Sequence, residues 1–308
     1  MTKGIISSLP LEEIKDTIKI QGGLRPAARF YGVDHTTIAD RLAIEGLCYQ
    51  DLLFEYQQEI APILTKRESI MGDAVIIADC HCPFVSLKWI NRAVHIGKSL
   101  GITQLISAGD FFDFDRLSYW VRLTKAEDTA VPLGDELAFS EGVLETLESQ
   151  FTTIHMIGGN HWKRLLTNIT FSVSTDRLMG LVGRKYDPRY HHTGLFEWTL
   201  LDNKIRITHP AKSRKLDYTL ARDLSILYPE QWMVVAHRHR SNEGFTPDGR
   251  PMWEIGWMGD TDRMKYVTYV DSTYYKWING MAYYKNGAFR ALTEYNYDWE
   301  EVDRELQV

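Results

Sequence analysis

Asp73–Phe84 reads DAVIIADCHCPF. A short apolar run, Ala74–Ala78, stops at Asp79, Cys80, His81, Cys82 and Pro83. A run of this length bounded by polar residues predicts a buried strand, with the polar group at its carboxyl end. Two chemistries compete there, one through sulfur and one through oxygen and nitrogen. A structural zinc wants four ligands, usually as two separated pairs, and the only other cysteine, Cys48, lies in a different segment. Cys80 and Cys82 therefore read as small residues filling a strand-end loop. Asp79 and His81 remain as the candidate donors.

The same pattern recurs downstream. Ile102–Ala108 (ITQLISA) and Phe151–Gly158 (FTTIHMIG) are further short apolar runs, separated by helical stretches over 86–100 and 134–150. This βαβαβ alternation predicts a largely parallel sheet. After about residue 194 the pattern turns to hairpins, with Asp202–Asn203, Asp248–Gly249 and Asn286–Gly287 at the turns, and WMVVAH (232–237) reads as one more buried strand. Each run is followed by polar residues of one kind: Asp79 and His81, then Gly109–Asp110 and Asp113, then Asn160–His161, then His209, then His237 and His239. Carboxyl ends of strands in an open α/β sheet share a rim where ligands bind, so five loops are expected to converge. Imidazoles and carboxylates together suit manganese, iron or zinc.

In order, these fragments read D-x-H, GD-x-x-D, GNH, H and H-x-H, and the chain resembles the calcineurin-like metallophosphoesterase superfamily over residues 72–240 by motif. The resemblance implies a four-layer α/β/β/α sandwich over 72–308 and a centre of two divalent metal ions, with Mn2+ the leading candidate and Fe or Zn the others. It assigns Asp79, His81 and His239 to one metal, Asn160, His209 and His237 to the other, and Asp110 to a bridge between them. His161 is expected beside the leaving oxygen without binding metal, and Asp113 is expected to orient its neighbours. The implied reaction is phosphoester hydrolysis by a metal-bridging hydroxide. The sequence departs from the pattern at Trp162, where an acid usually follows GNH, at Ala236 for glycine, and at Pro210 after His209. His191–His192, read as part of a loop, are an alternative source for the ligand assigned to His209.

Residues 1–46 read as three short helices. The spacing Ala28, Gly32, Ile38 is that of a helix-turn-helix, and 47–71 reads as a connector helix interrupted by Pro62. Such a domain is expected to touch nucleic acid through Arg25, Arg29, Thr36, Thr37 and Arg41. Its six basic and six acidic side chains cancel, however, and the whole chain carries −6, so any such binding is local. Lys212, Arg214, Lys215 and Arg238 adjoin the proposed site and are expected to contact a phosphodiester backbone. Three cysteines in 308 residues, no secretory pattern and no apolar run long enough for a bilayer predict a cytoplasmic protein without a membrane partner. The reading is a DNA or RNA phosphodiesterase. Its rivals are a phosphatase or phosphodiesterase for small nucleotides, whose N-terminal helices serve oligomer assembly, and a non-catalytic DNA-binding protein.

Overall fold

The computed structural model describes residues 6, 8–20, 24–47, 69–118, 130–168, 175–195, 198–210, 219–264 and 277–307. The chain divides into two compact units, Met1–Glu68 and Ser69–Val308. The expected connector helix lies almost wholly outside the described residues, as do Lys212, Arg214 and Lys215. No helix among the described residues is long and apolar enough to cross a membrane.

In the first unit three helices, α1 (Leu11–Ile20), α2 (Leu24–Tyr31) and α3 (His35–Ile44), enclose Ile6, Ile14, Ile18, Ala27, Ala28, Ile38 and Leu42. The turn between α2 and α3 is built by Gly32, whose φ of 66° opens the left-handed cap, and Val33 N–H closes back on the Ala28 carbonyl at 2.9 Å. Asp34 then caps α3 by accepting from Thr36 N–H at 2.8 Å.

The second unit opens at Ser69, because the backbone of Ile70 bonds to that of Leu200 and Asp202. It contains two mixed sheets. In the first, β1 (Ala74–Ile77), β2 (Gln104–Ala108), β3 (Thr153–Gly158) and β4 (Tyr190–Leu195) run parallel. The hairpin β10 (Gly280–Lys285) and β11 (Ala288–Thr293) extends it beyond β1. The second sheet has the order β5-β6-β7-β9-β8, with β5 (Trp198–Leu201), β6 (Ile205–Thr208), β7 (Trp232–Val235), β8 (Asn242–Phe245) and β9 (Pro251–Glu254). Its centre is parallel, β6 with β7 and β7 with β9, where the turn signals pointed only to hairpins.

Period-two alternation divides each strand between two cores. Val75 and Ile77 face α4 (Leu87–Leu100), α5 (Leu133–Glu148) and α9 (Trp299–Leu306) through Ile90, Leu144, Trp299 and their neighbours. Ala74, Ile76 and Ala78 face the other sheet, packing with Ile205, Ile207, Val234 and Trp253. Helix α8 (Thr219–Leu227) covers the far side through Leu220 and Ala221 on Met233, Val235 and Met252. Two short helices, α6 (Trp162–Asn168) and α7 (Thr175–Leu181), complete the first face. The order of layers is α/β/β/α, as expected.

Candidate metal centre

Five strand exits deliver the donors. The loops after β1 and β2 run side by side: Asp79 N–H bonds Gly109 O at 3.1 Å, His81 N–H bonds Asp110 O at 2.9 Å and Cys82 N–H bonds Phe111 O at 2.8 Å. These bonds hold Asp79, His81 and Asp110 at φ of 52°, 49° and 42°, and His237 and His239 are likewise left-handed at 84° and 56°. Each such residue costs on the order of 1 kcal/mol and persists only where its surroundings fix it, which is a pattern of functional loops. Two glycines make the approach close enough. A Cβ on Gly109 would lie 2.1 Å from the His209 ring, and one on Gly159 would lie 2.0 Å from Asp110 Oδ1.

Two donor sets carry the expected ligands, and a third, His81, Asp113 and His161, overlaps the first. Asp79, His81 and His239 form one, with His81 Nε2 2.9 Å from His239 Nε2 and His239 Nε2 3.5 Å from Asp79 Oδ1. Asp110, His209 and His237 form the other. His209 Nε2 ties the sets together, 3.0 Å from Asp79 Oδ1 and 3.2 Å from Asp110 Oδ2. Behind them, Asp113 Oδ1 lies 2.8 Å from His81 Nδ1 and 2.7 Å from His161 Nδ1, while His161 N–H bonds Asp110 Oδ1 at 2.8 Å.

This donor chemistry fits divalent cations. Asn160 Oδ1 is buried with no hydrogen-bond partner among the described residues, and such an orphaned acceptor is costly in a sealed interior. Asp113 Oδ1 accepts from His81 Nδ1–H, which leaves the Nε2 lone pair of His81 facing His239. Charge is already arranged for cations. Burial opposes ionisation of Asp79 and Asp110, yet His239 and His209 beside the first, and His161 and His209 beside the second, hold both carboxyls below the usual range. Burial, with His161 close by, pushes His81 down to about 4, and burial with His209 pushes His237 down to about 4. His209 goes the other way, up to about 10, because Asp110 and Asp79 outweigh its burial.

The structure thus brings Asp79, His81, Asp110, Asp113, Asn160, His161, His209, His237 and His239 to one rim. Two sequence expectations are corrected. Arg238 is not offered to a ligand: its side chain is 3 % exposed and pairs with Glu254 at 2.9 Å, because successive residues of the His237–His239 loop point opposite ways. His191 and His192 are not in a loop but on β4, in register with His155 and Met156, and do not join the donor sets. Cys80 and Cys82 are buried free thiols within the helix-side core, and burial pushes both thiols up. In the first unit Arg25 and Arg29 are exposed, Thr37 is half-buried, the Thr36 hydroxyl is bound to Asp34, and Arg41 pairs with Glu45.

Sequence reasoning missed Arg164, Glu136 and two tryptophans. Arg164 bonds Asp113 and His161, and its spacing three residues after His161 at a helix start was the available signal. Glu136, inside α5, accepts from Phe114 N–H at 2.7 Å and carried no signal. Trp257 stacks on the His239 ring at 4.9 Å and Trp277 meets it edge-on at 4.3 Å, walling that side of the site. Trp162, where an acid was the usual residue, is buried against Phe112.

No family model matches the sequence, and no curated protein matches it. Among solved structures, the chain is similar to an archaeal phosphodiesterase at 12% identity over 72% of this chain and 99% of that one, with a TM-score of 0.40. It is similar to a predicted phosphoesterase from Streptococcus pneumoniae at 8% identity, covering 72% of this chain and 98% of that one, with a TM-score of 0.32. Zinc-complexed wild-type Vps29 from Entamoeba histolytica gives 12% identity, coverage of 72% and 97%, and a TM-score of 0.34.

Proposed function

We infer that the Ser69–Val308 unit is a metal-dependent phosphoesterase and that its substrates are nucleic-acid phosphodiesters. One observation carries the enzymatic half: two three-residue donor sets, each with one buried carboxylate, meet at His209 on the rim of the strands. Asp79, His81 and His239 would hold one cation, and Asp110, Asn160, His209 and His237 the other. Manganese, iron and zinc all suit this mixture of nitrogen and oxygen. Bound there, divalent cations supply Lewis acidity at phosphoryl oxygens and acidify water.

The protein's own groups do the rest. Asp79 and Asp110 bring the anionic charge that would let two cations sit close together. Asp113 fixes the ring planes of His81 and His161 by accepting from both Nδ1 atoms. The His161 backbone N–H holds the Asp110 carboxylate in place, and its ring lies 3.9 Å from Asp110 Oδ2, beside the reacting position. The nucleic-acid half rests on reading α2, the Gly32 turn and α3 as a helix-turn-helix, with Arg25 and Arg29 exposed on α2.

Manganese-loaded full-length protein is expected to hydrolyse bis(p-nitrophenyl) phosphate and to nick or degrade DNA. Removing residues 1–46 should weaken DNA binding more than it slows dye hydrolysis. Cleavage restricted to monoesters or free nucleotides would exclude the nucleic-acid substrate, and the absence of all hydrolysis would exclude the enzyme.

A further inference from the structure

Arg164 lies on the first turn of α6, three residues after His161. Its Nη1 donates to the Asp113 carbonyl at 2.9 Å and lies 3.3 Å from Asp113 Oδ2, while Nη2 is 3.0 Å from His161 Nε2. A guanidinium has only N–H donors and does not lose its proton in a protein. In the 3.0 Å contact His161 Nε2 must therefore be the acceptor. At the other end of the ring, Nδ1 faces the Asp113 carboxylate at 2.7 Å and its carbonyl at 3.1 Å, both acceptors. Arg164, His161 and Asp113 close a ring of hydrogen bonds with one consistent assignment, in which the His161 proton sits on Nδ1.

We propose that Arg164 is a positioning residue of the phosphoesterase site: while Asp113 holds the Nδ1 proton of His161, Arg164 caps Nε2 so that this nitrogen carries no proton, and it sets a permanent positive charge on the leaving-group side in place of a proton donor at Nε2. The proposal rests on the phosphoesterase reading. In the hydrolysis one water adds to phosphorus as the P–O bond to the leaving alcohol breaks, and the bonding pair stays on the leaving oxygen. Of the two water protons, one remains with the product phosphate and the other reaches the alcohol through solvent. The guanidinium stabilises the charge that develops on the leaving oxygen before that proton arrives. Such an arrangement matters most where the leaving oxygen is most basic, as in an alkyl ester of the nucleic-acid type, and least for a nitrophenol.

The test combines a spectrum with leaving-group kinetics. In full-length protein labelled with 15N-histidine, long-range proton–nitrogen correlation separates Nδ1–H from Nε2–H rings, and His161→Gln identifies the His161 signals among the ten histidines. Wild type should show Nδ1–H at His161. Arg164→Ala leaves Asp113 on Nδ1 and should let Nε2 take up a second proton, which the spectrum reads as a doubly protonated ring, and should lower turnover of an alkyl diester by about 100-fold or more but that of a nitrophenyl diester about tenfold less severely. Arg164→Lys keeps the charge without the planar fork, and should cap Nε2 only in part while keeping part of the alkyl-ester turnover. An Nε2–H ring in wild type overturns the proposal, as does an equal loss for both esters in Arg164→Ala. Should wild type hydrolyse no ester with any metal, the functional reading fails separately, and the gain or not of a proton on Nε2 between wild type and Arg164→Ala still decides whether Arg164 caps it.

Discussion

At Gly159 the peptide passes so near Asp110 that an added Cβ would sit 2.0 Å from its Oδ1 and 2.4 Å from its backbone nitrogen. The backbone cannot yield cheaply there, so Gly159→Ala must move the Asp110 carboxylate. Misplacement on the ångström scale costs on the order of 100-fold in rate, and the overpacking about 1–3 kcal/mol in stability. Metal content and diester turnover should both fall in a protein that still folds; undiminished turnover would show that Asp110 need not hold its position. Glu136 poses a different question, because it is wholly buried with Oε1 bound to Phe114 N–H and Oε2 without a partner among the described residues. Burial, with Asp113 adding repulsion, pushes its carboxyl from 4.5 up to about 9. A carboxyl raised by folding gives its full stability below the unfolded value and loses it as pH climbs toward the folded one. Wild type should therefore weaken from about pH 5 to pH 8 by up to roughly 4 kcal/mol relative to Glu136→Gln, whose amide can still accept from Phe114 and does not ionise. Comparing denaturant midpoints across pH cancels the constant cost of the buried amide. Parallel pH curves would mean that Glu136 is already charged in the fold.

At the scale of elements, the three-helix unit makes a separable claim. Ile38 of α3 is fully buried among Ile14, Ile18, Ala27, Ala28 and Leu42. Replacing it by alanine removes three carbons from the core at a cost of about 2–4 kcal/mol, enough to unfold so small a unit. Ile38→Ala should then expose 1–46 to proteolysis and reduce DNA binding while dye hydrolysis stays within about twofold of wild type, since the donors of the centre lie in the other unit. A parallel loss of dye hydrolysis would refute that independence. The same scale shows what the sequence made legible. β1, β2 and β3 were plain because each is a short apolar run closed by polar residues, and the chemistry stood out because strand exits sit next to those runs. Partner choice was not plain: β6, β7 and β9 carry the same apolar signal whether they pair parallel or as hairpins, and nothing local records the crossover. β4 was missed because Tyr-His-His-Thr-Gly-Leu has the polarity of a loop while its pairing with β3 is a property of the sheet. Arg238 misled because its neighbours His237 and His239 face the centre and it alone turns to Glu254. Glu136 is helical in pattern, and only the packing of α5 brings it behind Phe114.

For the whole molecule, the centre couples charge, metal and stability. Asp79, Asp110 and Asp113 are buried among five imidazoles, and His209 is pushed upward, to about 10, chiefly by Asp110 once its burial is overcome. A histidine raised from 6.5 stabilises the fold fully below that value and loses its contribution as pH rises through about 10, so metal-free protein should weaken over that window. His81 and His237, held down to about 4, are already neutral ligands at pH 7. A metal replacing the His209 proton must therefore displace about one proton per chain near pH 7.5, and its affinity should rise up to about tenfold per pH unit below 10. To the extent that cations prefer the folded state, saturation at 100 times the dissociation constant adds up to about 2.7 kcal/mol, and the holoprotein should hold its stability across the range where the metal-free form loses it. Calorimetric titration in buffers of different ionisation enthalpy counts the proton directly. Release of none at pH 7.5 would mean that His209 is neutral before the metal arrives, and that the two carboxylates share their charge without it.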